Sequence, residues 1–272
     1  IESVGAAPAS LPEGTLEIDA AGRHVSPGLI DCHSHSMILG AVNEGTLPSS
    51  AMCRIADVIN SETDNIHQLL AGGLTIANLL HGSANPIGGQ NCVIKLRAGA
   101  APDALRFTNA PGGIKFALGE NPKQSNWGDA YTSRYPQTRL GVAALIRQRF
   151  QEALKYRQLQ QQGKSPEPDE VMDTLLEILD GKRLVHCHCY RQDEILAFLR
   201  VMEGLGVRVA SLQHILEGYK VADEIARHGA GASAFADWWA YKFEVIDAIP
   251  YAGSLLHQRG VNVSFNSDSS DH

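Results

Sequence analysis

Pro27-Gly-Leu-Ile-Asp-Cys-His-Ser-His35 decides how the rest of the chain is read. An apolar run over His24–Asp31 leads into two histidines two positions apart. Alternate residues of a strand share a face, so the imidazoles of His33 and His35 point the same way. Two neutral imidazoles aimed at one point suit Zn²⁺ or a similar divalent ion. A bare pair of this kind is more often a solvated strand end. The apolar strand and the Pro-Gly before it are what favour a metal site here.

Working outward, short β-branched or apolar runs alternate with longer amphipathic ones. Strands are expected at His24–Asp31, Leu74–Leu80, Cys92–Leu96, Ile114–Ala117, Leu184–Cys189, Arg208–Leu212, Gly231–Phe235 and Val261–Ser267. Three helical stripes lie between the later ones. Leu140, Val142, Ile146, Phe150, Ala153 and Leu154 follow a 3.6 period, as do Val171, Leu175, Ile178 and Leu179, and then Ile195, Phe198, Leu199 and Met202. Gly204 and Gly206 end one helix and Gly229 another. Strand, helix, strand at this spacing predicts parallel β/α units. Eight strands favour a (β/α)8 barrel of the TIM kind over an open doubly wound sheet. Ser83–Gln90 and Gly119–Pro136, the latter holding Trp127 and Tyr131, read as loops at the C-terminal, active end of strands.

Composition excludes several classes. A hydrophobic share of 44% over 272 residues supports a sizeable core, and 19% charged residues are too few for a disordered chain. A net charge of -7 argues against nucleic-acid or anionic-membrane partners. No apolar run approaches the ~20 residues of a membrane span. The five cysteines are an odd count for a disulfide framework and read as free thiols. Cys32, Cys187 and Cys189 alternate with histidines and are expected to face surrounding helices. Ile1–Pro12 lacks the basic start and apolar run of a signal peptide. The compartment stays open: cytoplasmic, or periplasmic or secreted if a signal precedes residue 1.

Further histidines and acids fall at later strand ends. His186 and His188 share one face of their strand, with His188 nearer the C-terminal end. His214 closes the next strand, and Asp268 follows Val261–Ser267 among the small residues Ser267, Ser269 and Ser270. Singly, each is more often a capping or satisfied polar group. Jointly, at the ends of several strands of one barrel, they favour a metal centre. Asn85, Gln90, Tyr190 and Arg191 are candidate substrate contacts. Arg191 can grip a carboxylate at two points or simply form a surface ion pair. Trp238 and Trp239 beside Asp237 can line a pocket mouth or pack.

PGLIDCHSH, with the later histidines and the final Asp, resembles the amidohydrolase superfamily of metal-dependent hydrolases. The strings GSANPIGGQ, GGIKFALGENPK, HCHCYRQDEI and FADWWAYK look like its imidazolonepropionase-related branch. The resemblance implies that His33 and His35 bind the more buried of one or two divalent ions, with Zn²⁺ the first choice. His188 and His214 would bind a second ion or orient substrate. Asp268 would touch the first ion and act with the catalytic water. The fourth-strand ligand would be Lys115 as a carbamate, or else Glu120. Lys115 is the first choice because its long side chain can reach up from inside the barrel.

The implied reaction is attack of a metal-bound hydroxide on a small molecule at a carbon–nitrogen bond other than an ordinary peptide bond, in a cyclic amide, amide or amidine. The alternatives are a deaminase, a dipeptidase, a lactone or ester hydrolase, and a catalytically silent binding barrel. A homo-oligomer stays open. Full members add a small β-sandwich and a closing helix. Residues 1–24, including GTLEIDAAGRH at 14–24, are therefore expected to be a sandwich remnant, and residues 25–272 a barrel truncated after strand eight.

Overall fold

The computed structural model describes residues 4–6, 8, 10–124, 128, 134–164, 166–235, 242–266 and 268. Trp127, Tyr131, Asp237, Trp238, Trp239, Ser267, Ser269 and Ser270 lie outside the described residues. Residues 10–28 form no strand or helix and are exposed, apart from a half-buried Ala20. Regular structure therefore opens at β1 (Leu29–Ser34) rather than at His24.

In chain order there follow α1 (Asn65–Ala71), β2 (Leu74–Leu79), β3 (Ile87–Gln90), β4 (Cys92–Lys95), α2 (Pro102–Leu105), β5 (Gly113–Ala117) and α3 (Glu120–Lys123). The second half runs α4 (Arg139–Gln161), α5 (Glu170–Leu179), β6 (Leu184–Cys189), α6 (Gln192–Gly204), β7 (Ser211–His214), α7 (Ala222–His228), β8 (Gly231–Ala234), α8 (Ala252–Gln258) and β9 (Val263–Phe265). The periodic stripes become α4, α5 and α6. Asp169 caps α5, its carboxylate accepting from the N–H groups of Val171 and Met172, which satisfies two of the donors a helix start leaves open.

The strands form a three-stranded sheet, β1-β2-β4, and a six-stranded sheet, β3-β5-β6-β7-β8-β9. β1 and β2 are parallel, as is every neighbour from β5 to β9. The third leg departs from the sequence expectation. Ser83–Gln90, expected as a loop, contains β3, which runs antiparallel to β5, and β4 runs antiparallel to β2. Ile87–Lys95 is thus one reversed leg that joins the two sheets. The cause is length: residues 80–86 are too few for the dozen or so that a parallel crossover needs, so the chain must turn straight back.

Alternation sorts β5 to β8 into two faces. Ile114, Phe116, Val185, Cys187, Cys189, Leu212, Ala232 and Ala234 join the main hydrophobic core with residues of α4, α5 and α6. Phe116 lies 6.3 Å from Phe150 and 6.2 Å from Phe198, ring centre to ring centre. The other face forms layers in register. Lys115, His186, Ser211 and Gly231 make one layer, and Ala117, His188, Gln213, Ser233 and Ser264 the next. Small residues in each layer leave room for the long ones, as in barrel interiors.

β1 and β9 share no backbone ladder among the described residues. They meet through side chains: Cys32 Sγ lies 3.2 Å from Ser233 Oγ and 3.3 Å from Ser264 Oγ. Cys32 therefore sits at this seam rather than under helices. The register of β1 slips between Asp31 and Ser34, which breaks the alternation that would have turned it outward. Cys187 and Cys189 do face the helical core, and all five cysteines are free.

Candidate metal centre

His33 is fully buried near the end of β1, and His35 follows just beyond it. Their outer nitrogens are both held from behind. His33 Nδ1 lies 2.9 Å from Gln213 Oε1, and His35 Nδ1 lies 2.9 Å from the Leu80 carbonyl. A carbonyl oxygen only accepts, so each ring carries its proton on Nδ1 and leaves the Nε2 lone pair free. The His33 backbone N–H donates to Asp31 Oδ1 at 3.0 Å, which steadies the strand end.

Asp268 meets both free nitrogens. Its Oδ1 lies 2.9 Å from His33 Nε2 and 3.2 Å from His35 Nε2. Neither contact aligns as a hydrogen bond, so Oδ1 is buried without a hydrogen-bond partner. One ligand atom from each of His33, His35 and Asp268 lies within 4.8 Å of the others. Ligands of an ion at about 2.0–2.2 Å stand roughly 3 Å apart, which matches these separations. The donor set, its spacing and its unpartnered oxygen fit a divalent cation.

A second group stands beside it. His188 and His214 are buried, and all four of their ring nitrogens lack a hydrogen-bond partner among the described residues. Buried polar atoms are nearly always satisfied, so four orphans in two rings ask for a ligand. The ring centres of His188 and His214 are 4.7 Å apart, and His214 is 4.8 Å from His33. His214 Nε2 is 3.8 Å from Asp268 Oδ2. Lys115 is fully buried and reaches up from the layer below, its Nζ 3.1 Å from His33 Nε2.

Strand alternation alone would point His214 away from this centre, because Gln213 already faces in. A positive φ of 68° at His214, followed by 43° at Ile215, swings the ring back. There it stacks on Phe235 at 4.5 Å and 11°. Left-handed conformations in non-glycine residues cost about 1–3 kcal/mol each and persist where packing over-determines them. Here Ile215 is fully buried and its N–H donates to the Cys189 carbonyl at 2.9 Å.

Electrostatics keep the ligands in binding form. Burial, then the charge of Lys115, lowers the pKa of His33 to about 4, and burial holds His188 and His214 well below the usual imidazole value. All three rings are neutral near pH 7. Burial opposes ionisation of Asp268, but the groups facing it, the buried Lys115 charge among them, outweigh it and hold the carboxyl well below its usual range. Burial lowers Lys115 to about 8.

The other sequence candidates lie as follows. Tyr190 is buried against His188, ring centres 4.5 Å apart. Glu120 opens α3, where its backbone N–H donates to Glu244 Oε2 at 3.0 Å, and it is not one of the three grouped ligands. Asn85 Nδ2 donates to the carbonyls of Glu44 and Leu47, both at 2.6 Å. Gln90 Nε2 donates to the Ala51 carbonyl and to Thr174 on α5. Arg191 pairs with Asp193 at 3.2 Å. The structure thus gathers His33, His35, Lys115, His188, Tyr190, His214 and Asp268, and engages the amide NH2 groups of Asn85 and Gln90 elsewhere, while Asn85 Oδ1 is buried without a hydrogen-bond partner among the described residues.

Three neighbours went unnoticed in the sequence: Gln213 behind His33, Phe235 under His214, and Lys242, whose Nζ is 4.7 Å from the centre of the Tyr190 ring and 2.7 Å from Glu244 Oε1. Gln213 was legible only as the neighbour of a strand-end histidine.

A largely parallel α/β fold with a buried histidine–carboxylate centre at its strand ends defines the class. No protein-family profile matches the chain. It is similar to the amidohydrolase tasK of Hapsidospora irregularis, 27% identical over 303 aligned positions that cover 96% of this chain and 30% of that protein. It also superposes on the crystal structure of an amidohydrolase from Thermotoga maritima MSB8 with a TM-score of 0.82 and 29% identity. That match covers 90% of this chain and 66% of the other, so the chain spans under a third of the first relative and about two thirds of the second. Fold, site and both likenesses support an amidohydrolase superfamily assignment.

Proposed function

We propose that this chain is a metal-dependent hydrolase acting on carbon–nitrogen bonds of the amide type in a small molecule: a cyclic amide, amide or amidine. The observation that carries the reading is the convergence of His33, His35 and Asp268 on one point. The two amidohydrolase likenesses support the bond class, and the strings around Lys115 and His188 support the imidazolonepropionase-related branch. The strand order and the side-chain seam between β1 and β9 support an eight-stranded β/α barrel.

His33, His35 and Asp268 would hold one divalent ion, Zn²⁺ by first choice. His188, His214 and a carbamate on Lys115 would serve a second, with Glu120 the alternative to the carbamate. Such an ion supplies a water whose pKa falls to about 7 and a Lewis acid for the substrate's oxygen.

The chain's own groups do the rest. Asp268 Oδ1 faces the two histidines, which leaves Oδ2, toward His214, to take the proton of the attacking water. The same carboxyl returns that proton to the leaving nitrogen. With one ion bound, His214 and His188 would instead orient the carbonyl oxygen. Burial of these groups excludes bulk water and strengthens each contact.

The test is elemental analysis of the purified chain and of His33→Ala/His35→Ala, with a panel of cyclic amides, dipeptides, amidines and lactones. Metal in the wild type, its loss in the double variant and turnover of an amide-type substrate are expected. Ammonia release would favour the deaminase, and lactone-only turnover the ester hydrolase. Equal metal content in both proteins would overturn the site. Bound metal without any turnover would favour the silent barrel.

A further inference from the structure

Gln213 is 1% exposed and faces the interior from β7, paired in register with His188. Its amide is gripped at both ends. Nε2 donates to Ser211 Oγ at 2.9 Å, and Oε1 lies 2.9 Å from His33 Nδ1. A serine hydroxyl can give or take, so Ser211 alone does not orient the amide. Lys115 does. Its ammonium can only donate, and it stands 3.1 Å from His33 Nε2. Nε2 is then an acceptor, the ring proton sits on Nδ1, and Gln213 must present its oxygen. The carboxylate of Asp268 would ask for the opposite proton, but its Oδ1 has no hydrogen bond to the ring.

We infer that Gln213 is a positioning residue whose amide oxygen locks His33 as the Nδ1–H tautomer and so aims the Nε2 lone pair at the cation position; the inference rests on the metal reading proposed above. Without that oxygen the buried Nδ1–H has no acceptor. The ring then relieves the loss by moving its proton to Nε2, toward Asp268 Oδ1 at 2.9 Å and at the expense of the Lys115 contact, which removes the ligand lone pair. Partners of this kind orient metal-bound histidines, and their loss typically costs about 10- to 100-fold in metal affinity.

Two variants separate orientation from packing. Gln213→Met keeps the length and removes the acceptor, whereas Gln213→Glu keeps an acceptor for the same N–H. Zn²⁺ affinity is measured by competition with a chelating dye, and the His33 tautomer by ¹⁵N NMR of metal-free protein near pH 7. We expect His33 as Nδ1–H in the wild type, a 10- to 100-fold affinity loss in Gln213→Met with a shift to Nε2–H, and near-wild-type affinity in Gln213→Glu. An Nε2–H ring in the wild type overturns the inference, and that measurement needs no variant to fold. So does wild-type affinity in Gln213→Met, or equal loss in both variants. An Nδ1–H ring in a wild type that takes up no Zn²⁺ supports the tautomer lock and overturns the metal reading.

Discussion

Lys115 and His33, 82 residues apart, meet with Nζ 3.1 Å from Nε2 and no solvent exposure on either side chain. A buried ammonium against a buried imidazole lone pair is tolerable only because the ring is neutral and Asp268 balances the charge. Lys115 is therefore a costly buried cation, and its cost can be measured through pH.

Lys115→Met should stabilise the metal-free protein near pH 7. The lysine pKa falls from 10.5 to about 8 on folding, and at about 1.4 kcal/mol per unit this costs the fold about 3 kcal/mol. Between pH 8 and 10.5 the unfolded chain binds more protons, so wild-type stability rises with pH through that window. The advantage of the variant should be full below pH 8 and vanish above about 10.5. Urea unfolding of chelator-treated protein across this range checks it, and a pH-independent gap would contradict it.

Glu194 gives the opposite slope. Burial first, then the neighbouring Glu244, raises its pKa from 4.5 to about 7. Arg139 at 3.4 Å is half exposed and compensates little. Between pH 4.5 and 7 the folded protein binds the extra proton, so stability falls as pH rises through that window. Glu194→Gln should be more stable than wild type by up to about 3 kcal/mol above pH 7 and equal to it below pH 4.5. Paired denaturation curves at pH 4.5 and pH 8 decide the matter.

Asp268→Asn keeps the shape and a metal-binding oxygen but accepts a proton poorly. Metal content should stay near normal while turnover of a substrate found in the panel drops about 10²- to 10⁴-fold. Full turnover would remove Asp268 from the mechanism and leave it a structural cap.

Gly113 lies beneath the centre, where a Cβ would stand 2.8 Å from His186 Nε2 and 2.7 Å from Asn91 Oδ1. Gly113→Ala should therefore destabilise the fold by about 1–3 kcal/mol through overpacking. It should also disturb the Lys115 layer, with which His186 is paired in register. Thermal unfolding reads the first effect, and metal titration the second.

The sequence by itself determined what is periodic and local. The period of two placed His33 with His35 and His186 with His188, and it sent Cys187 and Cys189 to the helical core. The 3.6 period marked α4, α5 and α6 because each buries apolar residues in the main core, although Leu140 and Leu154 of the α4 stripe stay exposed. Tertiary structure alone decided what depends on how distant pieces close on one another. Ile87–Lys95 runs backwards because the connection before it is too short to cross over, a limit on chain geometry that no hydrophobic pattern records. His214 reaches the centre only through two consecutive left-handed residues, against the strand alternation, held there by the burial of Ile215 and the ring of Phe235. The proton position on His33 depends on Gln213 and Lys115, residues from two other strands. Side-chain type and spacing can nominate ligands, but the lone pair that binds is aimed by neighbours that only folding brings to 2.9 and 3.1 Å.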